Sequence, residues 1–362
     1  MHIGIAGAGL LGRLLAFELT RAGHRVEVFD PASGPHATAA STARAAGWTA
    51  AGMLSPVAEL ERAGDEVFNL GLRSCALWPA IVAALQQPVA LTMNGSLLLA
   101  HRSDAGTAQR LIGLLQAKAS AHNQPQLLSR VELSGLEPAV NGPSLAWLLP
   151  NEGLIHPIQA MQALAAQATV HGVRWHWQST VTSMSDGVLT CEGQTQHHQF
   201  DHVFDVRGVG AKPALPVRGV RGEIIWLHAP GVTLKRPLRL MHPRLAAYLV
   251  PRPDDIIVVG ASEIESEDRS PISLRSTVEL LTAAHSVIPE LAEARVVHTE
   301  TNLRPALPDN LPLIVSHNGL TRINGLYRHG WLIAPALVER ALQQLPPHQH
   351  HSVRTLAESE MV

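Results

Sequence analysis

The sequence predicts a mixed α/β protein of two domains, one of them a parallel sheet with helices packed against it. Three observations carry that expectation. The chain has 362 residues, whereas a single hydrophobic core stops growing at about 250–300 residues. Residues 2–30 read strand, helix, strand around a run of glycines. Residues 222–260 read as a succession of strands with no helix among them. A hydrophobic content of 46% with 16% charged residues fits a packed globular protein rather than a disordered chain. With aromatic residues at only 4%, the core has to be mostly Ala, Leu and Val.

Residues 2–6 read as a short buried strand, and Gly7-Ala8-Gly9-Leu10-Leu11-Gly12 follows at once. Residues 10–21 read as a helix that Gly23 stops. Residues 25–29 alternate as a second strand ending at Asp30. In a strand–helix–strand unit of this kind each glycine has a physical task. Gly7 allows the tight turn, Gly9 lets a pyrophosphate approach the backbone, and Gly12 lets helix and strand pack closely. The helix N-terminus adds unpaired N–H groups and the positive end of a dipole. Asp30 lies 18 residues after Gly12, where a carboxylate binds both ribose hydroxyls. That favours a free 2′-hydroxyl, hence FAD or NAD over NADP.

Further along, residues 65–86, 107–121, 157–170, 274–285 and 334–345 read as helices, the last with Pro335 in its first turn. Strands are expected at 90–100, with a turn at Asn94-Gly95, and at 173–177, 203–206, 222–227, 247–250 and 256–260. The tail from Pro346 reads as frayed, with His348, His350 and His351 solvated rather than binding metal.

Charge and cysteine content narrow the classes. A net charge of −2 leaves no footprint for nucleic acid or an anionic membrane surface. Cys75 and Cys191 are too few for a disulfide framework and have no metal-ligand spacing, so buried thiols in a reducing compartment are expected. Residues 1–6 show no export signal, and no apolar run reaches the ~20 residues that a bilayer requires. The expectation is a soluble, cytoplasmic protein with no metal, nucleic-acid or membrane partner; homo-oligomerisation stays open.

FAD and NAD are separated later in the chain. The small residues of 38–53 leave room for a cofactor against bare backbone. Residues 324–336 form a glycine-containing loop that opens a helix. Its N–H groups and dipole suit an electron-rich acceptor such as a flavin C2 carbonyl.

Six segments, in chain order, carry a resemblance. They are Gly7 to Gly12 with Asp30; Ala-Ala-Gly-Met-Leu at 50–54; Val-Arg-Gly-Val-Arg-Gly-Glu at 217–223; Tyr-Leu-Val-Pro-Arg at 248–252 followed by Val-Val-Gly-Ala at 258–261; Leu-Arg-Pro-Ala-Leu-Pro-Asp at 303–309; and Tyr-Arg-His-Gly to Ala-Pro-Ala at 327–336. Together they resemble the glycine oxidase branch, associated with thiazole and thiamine biosynthesis, of the D-amino-acid-oxidase-like flavoproteins.

The resemblance implies a Rossmann-like FAD-binding domain assembled from residues 1–85, 145–215 and 300–362, and a substrate domain with a mixed or antiparallel sheet from 86–144 and 216–299. It implies oxidative deamination of glycine or a similar small amino acid. Hydride passes from Cα to flavin N5, the imine hydrolyses to a 2-oxo acid, and O2 is reduced to H2O2. Residue by residue, Arg328 falls where the family grips the substrate carboxylate, Arg304 where it binds substrate or braces the flavin, and Tyr248 at an active-site aromatic. Cofactor contacts are implied for Gly7, Gly9, Leu10, Leu11, Gly12, Asp30, Pro31, Ala51, Gly52, Met53, Val181, Leu326, Tyr327, Arg328, His329, Gly330, Trp331 and Leu332. The chemistry agrees: a guanidinium matches a planar carboxylate bidentately, and hydride transfer needs positioning more than a strong base.

Ser262-Glu263 departs from the pattern, since the family often carries Thr-Met there; Trp48 is a second unfamiliar feature. A Glu263 that faces the pocket would repel a carboxylate and attract an amine. Two other readings therefore stand beside the first. One is an FAD-dependent dehydrogenase or modifying flavoprotein acting on an amine in a larger molecule. The other is a flavin-binding scaffold or maturation partner without turnover.

Overall fold

The computed structural model describes residues 1–36, 44–195, 197–242 and 247–345. Its opening strand, His2–Ala6, lies inside a six-stranded sheet. On one side it pairs in parallel with Arg25–Asp30, which pairs in parallel with Arg174–Trp177. On the other it pairs with His202–Asp205, and that strand with Leu320–Asn324, again in parallel. The antiparallel hairpin partner Leu313–His317 closes the edge. Parallel strands need cover on both faces, and so read as near-continuous apolar runs. Helices Leu10–Arg21, Asp65–Ala83, Pro157–Val170 and Gly330–Gln343 bury Ile3, Ile5, Val26 and Val28 on one face. A small antiparallel sheet, Val181–Ser185, Val188–Cys191 and His198–Gln199, covers Phe29, Val203 and Leu320 on the other.

The glycine turn is tight for a reason visible in its atoms. Gly7 has φ +106°, a left-handed region where side chains are strained. A Cβ on Gly12 would sit 1.8 Å from the Gly7 carbonyl oxygen. That oxygen is backbone and cannot yield without moving the turn. Gly12→Ala is therefore expected to cost more than the ~1–3 kcal/mol of ordinary overpacking. Thermal unfolding followed by circular dichroism checks this; an unchanged midpoint would contradict the close approach of strand and helix.

The second sheet has eight strands, in the order Arg295–Ala306, Arg218–His228, Ile256–Gly260, Ala247–Arg252, Leu238–Leu240, Ser96–Ala100, Leu145–Leu149, Gln126–Leu127. All neighbours are antiparallel except Leu238–Leu240 with Ser96–Ala100, so the sheet is mixed, as expected. Side chains alternate between its faces. Ile225, Leu227, Leu249, Ile257 and Val259 pack on helix Leu274–Val287. Their neighbours Ile224, Trp226, Tyr248, Val250 and Val258 gather on the opposite face, with Ala51 and Leu154.

Several expectations are corrected. The last helix starts at Gly330, four residues before the expected start, so Pro335 lies inside it. Proline has no N–H to give the carbonyl four residues earlier. Trp78 Nε1 supplies the missing donor, reaching the Trp331 carbonyl at 3.0 Å from helix Asp65–Ala83. The expected strand at 90–100 divides into Leu91–Thr92 and Ser96–Ala100. The strand expected at 222–227 extends to Arg218–His228, because it pairs along its length with Arg295–Ala306, which the sequence pattern did not mark. Helix Pro157–Val170 and strand Ile256–Gly260 match their expected bounds. Cys75 and Cys191 are buried free thiols. The tail histidines His348, His350 and His351, and residues 38–43 of the small-residue run, lie outside the described residues. No described helix is long and apolar enough to cross a membrane.

Candidate active site

A cavity of about 1020 Å³ runs from the glycine turn to the Tyr248 face of the second sheet. Every residue assigned to the site from the sequence lines it except Gly12, whose missing side chain serves the strand–helix contact instead.

At the glycine-turn end, no side chain caps helix Leu10–Arg21 at Gly9, so its first N–H groups are left to whatever occupies the cavity. Asp30 accepts the Ala8 N–H at 2.6 Å and the Ala32 N–H at 2.8 Å, which fixes its carboxylate at the cavity wall. Beneath lies Arg13, a residue the sequence reading missed. It is 1% exposed and donates to the carbonyls of Ala8, Met161 and Pro35 at 2.7, 2.7 and 2.9 Å. Its guanidinium sits 5.0 Å from the Trp48 ring centroid, a cation–π contact. Burial pushes Arg13 down to about 10, with Asp30 pulling the other way. The available signal was a lone cation on a helix face otherwise made of Leu10, Leu14 and Phe17.

At the other end, two strand glycines make room for two side chains. A Cβ on Gly260 would lie 2.5 Å from the Tyr248 hydroxyl, and one on Gly222 2.5 Å from Arg304 Nη2. Glycine inside a strand marks a close approach of this sort. Arg304 donates from Nη1 to the carbonyls of Ser262 at 3.0 Å and Arg221 at 3.4 Å. Among the described residues it has no ion pair. Burial lowers its pKa, and Arg328 pushes the same way. Tyr248 is raised by burial, against the pull of Arg304.

Arg328 differs. Its Nε lies 3.3 Å from Glu59 Oε2, and its Nη1 donates to Glu263 Oε2 at 3.1 Å. Burial would lower its pKa, but Glu59 and Glu263 outweigh it and raise it. The guanidinium expected to be open to substrate is thus already held by two carboxylates, and Arg304 is the one without an acid.

Glu59, also missed from the sequence, is the anchor. It ends the short helix Pro56–Glu59 and is 5% exposed. It accepts from Arg239 Nη2 at 2.6 Å, and His329 Nδ1 lies 3.3 Å away. Burial alone would raise its carboxyl, yet Arg239, Arg328 and His329 together hold it below the usual range. Burial pushes His329 down to about 4, against Glu59, so its ring is neutral at pH 7. Glu263 lines the cavity as well, resolving the question its sequence position raised. Tyr327, at φ +48°, bonds it.

The sequence pattern of the DAO family, FAD dependent oxidoreductases, matches residues 2–341. The chain belongs to that family. This flavoprotein is 35% identical over 351 residues, 96% of its length and 98% of the relative's, to a protein of Rhizobium etli named as a thiamine biosynthesis oxidoreductase, ThiO. It is 27% identical to a glycine oxidase of Geobacillus kaustophilus, over 92% of this chain and 89% of that one. The crystal structure of glycine oxidase from the same organism superposes with a TM-score of 0.80, at 25% identity over 95% of this chain and 93% of that one.

FAD is the cofactor, and the residues present fit it. The uncapped helix end suits a pyrophosphate, and the Asp30 carboxylate suits ribose hydroxyls. The cavity lies at the top of the roughly 300–1,000 Å³ range of small-molecule sites, as a dinucleotide with a small substrate requires. Helix Gly330–Gln343 presents a second uncapped N-terminus at the far end. The flavoprotein is therefore an FAD-dependent oxidoreductase of the glycine oxidase type.

Proposed function

We propose that this flavoprotein oxidises glycine, or an amino acid of similar size, at the carbon between amine and carboxylate, with O2 as final acceptor. The observation that carries the reading is Arg304, a largely buried guanidinium that lines the cavity beside Tyr248 and has no acid partner among the described residues. A desolvated cation of this kind calls for an anion, and the fork of a guanidinium matches a carboxylate. Arg304 grips the substrate carboxylate and Tyr248 flanks it, which holds Cα in one place; fixed geometry of this kind lowers the barrier by removing lost motion from the reacting step. Arg328, kept cationic by Glu59 and Glu263, adds positive potential without being the primary clamp. FAD, when bound, supplies the two-electron acceptor, which O2 restores with release of H2O2. The imine product hydrolyses in water to the 2-oxo acid. The glycine oxidase and ThiO relatives support this substrate class and a biosynthetic use of the product.

We assign the cofactor contacts to Gly7, Gly9, Leu10 and Leu11 at the pyrophosphate, Asp30, Pro31 and Val181 at the adenosine end, and Ala51, Gly52, Met53 and residues 326–332 around the flavin. The division of the chain into a cofactor domain of 1–85, 145–215 and 300–362 and a substrate domain of 86–144 and 216–299 is part of the same proposal. Asp30→Ala removes hydrogen bonds to a charged acceptor, worth about 1.5–3 kcal/mol. The dissociation constant of FAD is expected to rise roughly 10- to 150-fold, measured by flavin fluorescence titration of the apoprotein. An unchanged constant would remove Asp30 from the cofactor site.

Incubation with glycine in air tests the reaction. Glyoxylate, ammonia and H2O2 should form in equal amounts. Glyoxylate without H2O2 would instead favour a dehydrogenase with another acceptor.

A further inference from the structure

We propose that Glu263 is a specificity residue: its carboxylate occupies the second guanidinium of the pocket, so that the site accepts an amine bearing one carboxylate and turns away one bearing two. This rests on the assignment of the substrate carboxylate to Arg304. Arg304 and Arg328 line the same cavity. A pocket with two open guanidiniums would favour a dianion that bridges them. Here the second is closed from both sides. Glu59 approaches Arg328 Nε at 3.3 Å from the buried side, and Glu263 takes its Nη1 at 3.1 Å from the cavity side.

The two carboxylates are not equivalent. Glu59 is buried and held by Arg239 at 2.6 Å, so it is part of the frame. The Glu263 side chain is 41% exposed, and its partners among the described residues are groups at the cavity: Arg328, Tyr327, and Arg62 Nη1 at 3.8 Å. Its position is set by its neighbour in the chain. Ser262 gives its carbonyl to Arg304 Nη1 at 3.0 Å and its hydroxyl to the Glu223 N–H at 3.0 Å as acceptor. The segment that braces the first guanidinium thereby delivers a resident carboxylate to the second. A substrate's second carboxylate would meet an occupied partner and a like charge, which is exclusion by repulsion as well as by lost attraction. Removing the Glu263 charge leaves Arg328 with a donor nitrogen open to the cavity.

The test uses the FAD-loaded protein and two simple anions, acetate and malonate, titrated while the flavin absorbance spectrum is recorded. The parent should bind acetate at least tenfold more tightly than malonate. Glu263→Gln should tighten malonate at least tenfold while acetate stays within about threefold. Glu263→Met should behave alike, because the effect comes from the lost charge. A malonate-to-acetate ratio unchanged in both variants overturns the proposal. So does a parent that binds malonate as tightly as acetate, or a spectrum that responds to neither anion in any form. If the ratio switches as stated but glycine leaves the flavin oxidised under anaerobic conditions, the specificity role of Glu263 stands and the assignment of glycine as substrate fails.

Discussion

Arg304→Ala is expected to lower kcat/KM for glycine roughly 10- to 150-fold, the effect of losing a charge-assisted hydrogen-bonded pair worth about 1.5–3 kcal/mol. The loss should appear mainly in KM if the guanidinium binds ground state and transition state alike, and in kcat as well if it also aligns Cα. An amine without a carboxylate, such as methylamine, should be affected much less by the same change. FAD content and melting temperature should stay close to those of the parent, because among the described residues the hydrogen bonds of Arg304 are those from Nη1 to two carbonyls. Arg328→Ala should also impair glycine oxidation, but by another route: it leaves the Glu263 carboxylate facing the pocket without its partner. Adding Glu263→Gln should then restore much of the Arg328→Ala defect and none of the Arg304→Ala defect. Steady-state kinetics with glycine on the two single and the two double variants decides the matter. Equal rescue of both arginine variants would contradict the division of labour between them.

Glu59→Ala is expected to be the most destabilising change at the site. It leaves Arg239, and the buried flank of Arg328, without their carboxylate in a region of little solvent. Breaking a buried ion pair from one side costs about 3–5 kcal/mol, because the remaining charge stays desolvated and unpaired. Chemical denaturation of the FAD-loaded protein measures it. Glu59→Gln keeps the shape and one acceptor, so its loss should be smaller. The same group shapes the acid limb of stability. The folded carboxyl titrates below its ordinary value of 4.5, so its contribution is complete at neutral pH and is lost as pH falls from about 4.5 toward the depressed folded value. Glu59→Gln should therefore show a flatter decline below pH 4.5 than the parent. An equally steep decline would place the acid-sensitive group elsewhere.

What could be read in advance follows the range of the forces involved. The glycine turn, helix Leu10–Arg21 and Asp30 are legible because turn, helix cap and acid lie within one supersecondary unit, each residue's role set by its near neighbours. Tyr248 and Arg304 were singled out through resemblance alone. The physical hints beside them, Gly260 and Gly222, lie across strand pairings that no local pattern reveals. Glu59 was not legible at all. Its partners Arg239 and Arg328 are 180 and 269 residues away, and an acid in a short first turn after proline looks like an ordinary helix start. The resemblance pointed to Arg328 as the carboxylate clamp; Glu59 and Glu263 both pair with that guanidinium, and this is why the carboxylate is proposed to dock on Arg304 instead. Pro335 misled for the same reason: the donor that lets it sit inside a helix comes from Trp78, far away in sequence.

The most direct measurement for the account is anaerobic mixing of the FAD-loaded protein with a panel of glycine, sarcosine, small D-amino acids and methylamine, with the visible absorbance of the flavin followed in time. Glycine or one of its small relatives should bleach the flavin fully, and methylamine should bleach it far more slowly because it offers Arg304 no carboxylate. If methylamine bleaches the flavin as fast as glycine does, or if no member of the panel bleaches it, the oxidation of a small amino acid held by Arg304 is contradicted.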